Sequence, residues 1–209
     1  MPRLITGLDP ARIAANLERI RAQVGPDVKI LAAVKYVPLE ELGALREAGV
    51  TLLGENRAQD LEQKASRYPD FEWHFIGQLQ SRKVKQIVPY ARLIHSVASE
   101  SALRQLAIHA RPDTKILIEV NVAGEPGKAG IAPEELPHYL EASPVEVIGL
   151  MTMPPFTENP EESRPYFARL KALADEHGLT ELSMGTSQDF AVAAAEGATI
   201  VRIGTSLYT

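Results

Sequence analysis

Short apolar runs alternate along the chain with longer segments in which apolar residues recur every three or four positions. Short runs rich in branched and aromatic residues are typical of buried strands, whereas the longer spacing is typical of amphipathic helices. The pattern predicts eight strands, at 28–34, 51–53, 73–76, 93–95, 115–122, 145–150, 181–184 and 198–203.

A predicted helix separates each strand from the next. The first helix precedes all the strands: Asp9 is suited to cap it and Pro10 to occupy its first position, and the helix ends before Gly25. The other helices are predicted at 39–48, 56–67, 81–88, 99–110, 133–140, 160–177 and 187–196. Strict alternation of strand and helix indicates a parallel sheet with right-handed crossovers.

Eight such units favour a closed (β/α)8 TIM barrel, which we expect to form one domain over residues 1–209 with an extra N-terminal helix. A doubly wound open sheet is the alternative, but it normally has fewer strands. In such barrels the functional residues lie at the C-terminal ends of the strands. Those ends carry Lys35, the segment 54–56, Gly77, Asn121 and the segments 151–154, 183–187 and 202–205.

Composition and charge exclude several classes of function. The net charge of −5 gives no general basic field, so we expect neither a nucleic-acid nor a membrane partner. The absence of cysteine excludes disulfides, thiolate catalysis and cysteine-based zinc sites. The five histidines show no metal-ligand spacing, so no metal site is expected. With no signal-peptide pattern and no apolar run of ~20 residues, the cytoplasm is the expected location. An open barrel of this size is expected to be a monomer.

Two hydroxyl-bearing loops and one lysine remain as candidate chemistry. The loop 184–189 holds Ser187, and the segment 202–206 holds Gly204 and Thr205. They follow the last two strands, where barrels of this kind commonly bind phosphate, although Ser187 could equally be a plain helix cap. Lys35 ends the first strand, which neighbours the last one in a closed barrel. The two loops and the lysine indicate either a phosphorylated aldehyde held as a Schiff base, such as pyridoxal 5′-phosphate (PLP), or a phosphosugar bound near a lysine.

Several motifs in order resemble those of the YggS/PROSC family of PLP-homeostasis proteins, which is related in fold to the N-terminal domain of alanine racemase. These motifs are LAAVKYVP (31–38), GENRAQD (54–60), WHFIGQLQSRK (73–83), GLMTM (149–153), LSMGTSQD (182–189) and VRIGT (201–205). The resemblance covers nearly the whole chain. It implies that PLP is the cofactor and that Lys35 is the lysine that binds it.

The resemblance also implies the other cofactor-binding positions. Ser187, Gly204 and Thr205 fall on the family's phosphate-binding positions, and Asn56 falls on the asparagine near the cofactor. Arg202 matches the arginine that faces the pyridine nitrogen. The sequence departs from the family pattern beside the lysine and in the phosphate loop, at Val34, Tyr36, Val37 and Thr186.

An arginine facing the ring nitrogen favours a carrier over a catalyst. Arginine cannot accept a proton, so it does not support the protonated ring that makes PLP a strong electron sink; racemases tolerate this but add a second base. No catalytic residue is therefore expected, and the resemblance implies a protein that stores or delivers PLP, with apo-PLP enzymes as recipients. The alternative is a small PLP-dependent racemase, which would need a second base opposite the lysine.

Overall fold

The structure, a computed structural model, describes residues 4–209 and contains a closed eight-stranded barrel. Neighbouring strands are parallel and follow one another in chain order, and β8 pairs with β1 to close the sheet. The strands are β1 (Lys29–Ala33), β2 (Leu52–Glu55), β3 (Glu72–Phe75), β4 (Leu93–Val97), β5 (Lys115–Glu119), β6 (Glu146–Met151), β7 (Glu181–Thr186) and β8 (Ile200–Ile203). The predicted (β/α)8 barrel is confirmed.

Helices surround the barrel, and one of them precedes it. The helices are α1 (Pro10–Val24), α2 (Leu42–Glu47), α3 (Ala58–Arg67), α4 (Val84–Ile87), α5 (Glu100–His109), α6 (Leu136–Ala142), α7 (Arg164–Glu176), α8 (Phe190–Ala195) and α9 (Thr205–Tyr208). The Asp9 side chain accepts the Ala11 N–H at 3.0 Å and Pro10 opens α1, as the sequence predicts. Within residues 4–209, no helix has the length and apolar composition needed to cross a bilayer.

The apolar side chains form two clusters. The larger cluster lies between the sheet and the helices, and the smaller one fills the inside of the barrel. The inner cluster consists of Leu31, Leu52, Leu93, Leu117, Met151 and Ile200. His95 and Arg202 stand two residues after Leu93 and Ile200, so the two-residue period of a strand turns them into the same interior. Inside the barrel, these buried polar groups therefore lie on the C-terminal side of the inner apolar cluster.

The segment after β7 differs from its prediction. The predicted helix at 187–196 begins only at Phe190, because residues 186–189 form a turn in which the Asp189 carboxylate accepts the Thr186 N–H at 2.7 Å. Gly185 makes this turn feasible: its φ is +90°, and a Cβ there would lie 2.5 Å from the Cβ of Ala193. The short helix α9 was not predicted.

The contact between β6 and β7 depends on a glycine. A Cβ on Gly149 would lie 1.8 Å from the backbone oxygen of Glu181, which belongs to the neighbouring strand and cannot move aside alone. We expect Gly149→Ala to lower the free energy of unfolding by about 3 kcal/mol, the upper part of the range for overpacking, as measured by urea denaturation. Gly43→Ala is the matched control, since its Cβ would meet only the Tyr68 hydroxyl at 3.8 Å. Equal stabilities of the two variants would contradict this account.

Candidate functional site

A cavity of about 310 Å³ opens at the C-terminal end of the barrel. Its wall includes Ala33, Asn56, Glu119, Thr186 and Arg202, which come from five different strands or the residues directly after them. A volume of this size falls at the lower end of the range for small-molecule sites. The structure therefore brings two of the predicted binding residues, Asn56 and Arg202, to one cavity.

Arg202 is held by acceptors on β7 and on the segment after β6. Its Nη1 donates to the Ser183 carbonyl at 2.8 Å and to the Ser183 hydroxyl at 2.6 Å. Its Nη2 donates to the Thr152 carbonyl at 2.9 Å and to the weakly accepting Met153 sulfur at 2.8 Å. The side chain is buried, and burial lowers the pKa of its guanidinium to about 10, while the carboxylates of Glu119 and Asp189 oppose that shift. Arg202 therefore remains a cation at neutral pH and presents only donors to the cavity.

Glu119, which sequence reasoning did not select, ends β5 on the same wall. Burial raises the pKa of its carboxyl group, and the Arg202 charge partly offsets the rise. Its carboxylate forms no hydrogen bond with residues 4–209, although only 6% of the residue is exposed. The sequence contains a signal for this residue, since Glu119 ends an apolar strand and barrels place their chemistry at the C-terminal ends of the strands.

Lys35 lies two residues beyond β1, at the same end of the barrel. The residue is half-buried, and its Nζ lies 5.0 Å from the centre of the Tyr36 ring. Within residues 4–209, the amine takes part in no hydrogen bond and no salt bridge. Lys35 is not itself part of the cavity wall, but Ala33, two residues earlier, is. Lys35 therefore lies beside the cavity, and its amine contacts the Tyr36 ring but no hydrogen-bond or salt-bridge partner among residues 4–209.

The two predicted phosphate loops contact each other directly. The Ser187 hydroxyl accepts the N–H groups of Gly204 at 3.1 Å and of Ser206 at 3.4 Å, and the Ser206 hydroxyl donates to the Ser187 carbonyl. Ser187 therefore does not cap α8, which excludes the plain-cap interpretation. Space remains at Gly204, where a Cβ would meet no atom within 4 Å. Thr205 begins α9 in the same loop.

A buried ion pair fixes the strand ends around Lys35 and Asn56, and sequence reasoning did not identify it. The fully buried Glu55 carboxylate accepts the Asn56 N–H at 2.6 Å and the Lys64 ammonium at 2.6 Å. Lys64 also donates to the Val34 carbonyl at 2.7 Å, directly before Lys35. The sequence contains one clue to this pair: Lys64 lies three residues after Leu61, which puts a charged residue on the apolar face of α3.

A glycine brings the next loop against Asn56. A Cβ on Gly77 would lie 2.0 Å from the Asn56 backbone oxygen, so only glycine permits this approach. The Ser96 hydroxyl donates to the Gly77 carbonyl and secures the segment from the other side. Nowhere in residues 4–209 do three histidine, aspartate or glutamate side chains gather as a possible metal ligand set.

The chain is similar to several known proteins. The family model described as alanine racemase, N-terminal domain, matches residues 8–209. A protein named pyridoxal phosphate homeostasis protein from Aquifex aeolicus is 44% identical, over 94% of this chain and 96% of that protein. A protein of the same name from Pseudomonas aeruginosa is 35% identical, over 95% of this chain and 92% of that protein.

Solved structures of other proteins have a similar fold. PipY of Synechococcus elongatus, in a structure with PLP bound, has a TM-score of 0.83 and 33% identity, covering 94% of this chain and all of PipY. An alanine racemase from Clostridium difficile has a TM-score of 0.78 over 96% of this chain and 57% of the racemase. Its 13% identity limits that likeness to the fold.

The Glu55–Lys64 pair predicts a specific stability pattern. We expect Lys64→Met to lower the free energy of unfolding by about 3 to 5 kcal/mol, because it leaves the Glu55 carboxylate buried and uncompensated. Adding Glu55→Gln should recover part of that loss, since the buried charge is then removed. Urea denaturation of the two single variants and the double variant measures the pair.

Lys171→Met is the control for this experiment, because Lys171 forms an exposed salt bridge with Asp175 and should change stability by less than about 0.5 kcal/mol. Strictly additive effects of Lys64→Met and Glu55→Gln would show that the two side chains are not coupled.

Proposed function

Because the chain belongs to the alanine racemase N-terminal domain family and, within it, to the pyridoxal phosphate homeostasis proteins, we propose that its barrel binds PLP and holds it reversibly as a Schiff base on Lys35. One observation carries the proposal. The Lys35 amine, which has no hydrogen-bond partner within the described part of the chain, follows β1. The Gly204 loop follows β8, which pairs with β1, and it contacts the Ser187 loop, which follows β7. An aldehyde and an anionic group of one small ligand would be received by these three segments together.

The phosphate end fits the contacts of the two loops. The N–H groups of Gly204 and Ser206 already converge on one oxygen, the Ser187 hydroxyl, and the space beside Gly204 is open. Oriented N–H groups and a hydroxyl are the donors that phosphate oxygens accept. Ser187, Gly204 and Thr205 are therefore the residues proposed to hold the phosphate, as in the sequence-based assignment.

The ring end fits the cavity wall. When bound, PLP supplies an electrophilic aldehyde and an electron-withdrawing pyridine ring. Arg202 would donate to a ring nitrogen through Nη2, in place of the weak Met153 sulfur acceptor, but it cannot take or give up a proton there, so it favours the neutral ring. Asn56, held in place by Glu55, lines the same wall after β2, which is separated from β8 only by β1. These residues bind and orient the ligand, and nothing in their arrangement promotes its turnover.

This arrangement supports a role in storing or delivering the cofactor. The Schiff base to a half-buried lysine is reversible, and the cavity opens to solvent at the end of the barrel. We propose that the protein releases PLP to apo-PLP enzymes in the cytoplasm and acts as a monomer. The exposed Arg82, in the loop after β3, and the neighbouring Lys83 add positive charge on the approach to the cavity.

Covalent attachment is tested by trapping. We expect borohydride reduction of the PLP-loaded protein to leave a stable pyridoxyl group on Lys35, identified by peptide mapping, and Lys35→Ala to abolish both the trapped group and the yellow absorbance. Lys29→Ala should retain both, because Lys29 lies at the other end of β1 and pairs with Glu181. A pyridoxyl group found on another lysine of the wild-type protein would refute the assignment.

The phosphate site is tested by comparing PLP with pyridoxal, which lacks the phosphate. We expect Ser187→Ala to weaken PLP binding about tenfold, or about 1.4 kcal/mol, the size of one hydrogen bond to a charged group, and to leave pyridoxal binding nearly unchanged. Titration of the absorbance change measures both affinities. Ser143→Ala is the control, since its hydroxyl bonds the Val145 carbonyl ahead of β6. An equal loss for both ligands would exclude a phosphate contact at Ser187.

A further inference from the structure

A continuous line of hydrogen bonds crosses the inside of the barrel and ends at Arg202. From Arg202, it passes to the Ser183 hydroxyl at 2.6 Å and on to His95 Nδ1 at 2.8 Å. His95 Nε2 lies 2.9 Å from His74 Nδ1, and His74 Nε2 lies 2.9 Å from the Glu72 carboxylate. The line connects β8 and β7 with β4 and β3, on the opposite side of the barrel. We call these five residues the relay.

The two ends of the relay lie in different surroundings. Arg202 lines the cavity at the C-terminal end of the barrel. Glu72 is the first residue of β3, and 54% of its side chain is exposed at the N-terminal end. The three residues between them are almost completely buried, with exposures of 3% or less. The relay therefore joins an exposed carboxylate to the wall of the binding cavity.

For neutral imidazoles, the two ends also fix the direction of every hydrogen bond. A guanidinium only donates, so the Ser183 oxygen accepts from Arg202 and keeps its own hydrogen for His95 Nδ1. An ionised carboxylate only accepts, so His74 must donate to Glu72 through Nε2. His74 Nδ1 then accepts from His95 Nε2. Both imidazoles are consequently assigned as the neutral Nε2–H tautomer, and all four bonds run from Arg202 to Glu72.

The charges near the relay agree with neutral imidazoles. Burial holds the pKa of His95 well below its usual value, and the positive charges of Arg202 and Lys29 lower it further. Burial also lowers the pKa of His74, and the hydrogen bond with Glu72 opposes that shift. The hydrogen bond from His74 keeps the pKa of the Glu72 carboxyl low. At neutral pH, each member thus has the protonation state that the one-way arrangement requires.

We propose that Glu72, His74, His95 and Ser183 are positioning residues that orient Arg202 in the cavity, with Glu72 setting the direction of the relay from the far end of the barrel. With an ionised Glu72, the Ser183 hydroxyl accepts a hydrogen bond from Arg202 and donates its own hydrogen to His95 Nδ1. If the direction reversed, His95 Nδ1 would donate to the Ser183 oxygen, which would then accept from both His95 and Arg202 and hold Arg202 less strongly. The exposed Glu72 carboxylate then determines how strongly the Arg202 side chain is held in the orientation that a ligand meets.

The tautomer assignment is tested without any ligand. ¹⁵N spectra of the histidine side chains in the full-length protein should show the Nε2–H form for both His74 and His95. Glu72→Gln should convert part of the population to the Nδ1–H form, because an amide donates as well as accepts and removes the directional bias. Glu146→Gln is the matched control, since Glu146 is exposed at the same end, pairs with Lys115 and lies outside the relay. An Nδ1–H form in the wild-type protein, or unchanged spectra in Glu72→Gln, would overturn the proposal.

The positioning role is tested by ligand affinity, and this part rests on the proposed PLP site. Glu72→Gln should weaken PLP binding about threefold to tenfold, in the range of couplings carried through packed networks, and Glu146→Gln should not. In a Ser183→Ala background, which cuts the relay next to Arg202, Glu72→Gln should have no further effect on affinity. An unchanged affinity in Glu72→Gln, or the same loss in both backgrounds, would overturn the role. If PLP did not bind at all, the proposed function would fail while the ¹⁵N spectra would still decide the relay.

Discussion

The hydrogen-bonded pairing of β1 with β8 is the constraint on which the rest of the structure depends. It joins Lys29–Ala32 to Ile200–Ile203 in parallel register, although the two segments are separated by nearly the whole sequence. Closure removes the free edges that an open sheet would expose. It also brings the segment after β1, with Lys35, beside the segment after β8, with Gly204. Without closure, neither loop would have the other as a neighbour, and the site would not exist.

Closure creates a second requirement, because polar groups enter a low-dielectric interior and must find partners there. Lys64 and Glu55 satisfy each other and secure the backbone around Val34 and Asn56. Arg202 is satisfied by the carbonyl and hydroxyl oxygens of β7 and of the segment after β6. These contacts restrict the orientation of the cavity wall more tightly than apolar packing would, since a hydrogen bond has a preferred direction.

The polar groups of the site that have no hydrogen-bond partner in the described chain also indicate what the site is suited to bind. The Lys35 amine and the Glu119 carboxylate face the same end of the barrel without a hydrogen-bond partner among residues 4–209. Arg202, in contrast, is committed and only donates. A site with one free amine, a donor-only cation and two loops rich in N–H groups is suited to binding a phosphorylated aldehyde and releasing it again. The proposed carrier role is consistent with this division between fixed and free groups.

The sequence by itself determined the fold class and the approximate place of the site. Strand and helix periods reflect local geometry, and the rule that barrel chemistry lies after the strands selects Lys35, Asn56, Ser187, Arg202 and Gly204 without any contact information. Helix starts were less accurate. The helix predicted from residue 187 begins at Phe190, because the side chain of Asp189 and the freedom of Gly185 favour a turn.

Only the tertiary structure decided how distant polar residues pair. Glu55 with Lys64, Ser187 with Gly204, and the relay from Glu72 to Arg202 join residues from different strands, helices and loops. Periodicity shows which face of an element a residue occupies, but it carries no information about the residue it meets across a closed barrel. Those partners follow from strand register and barrel closure, which are set by the packing of the whole chain.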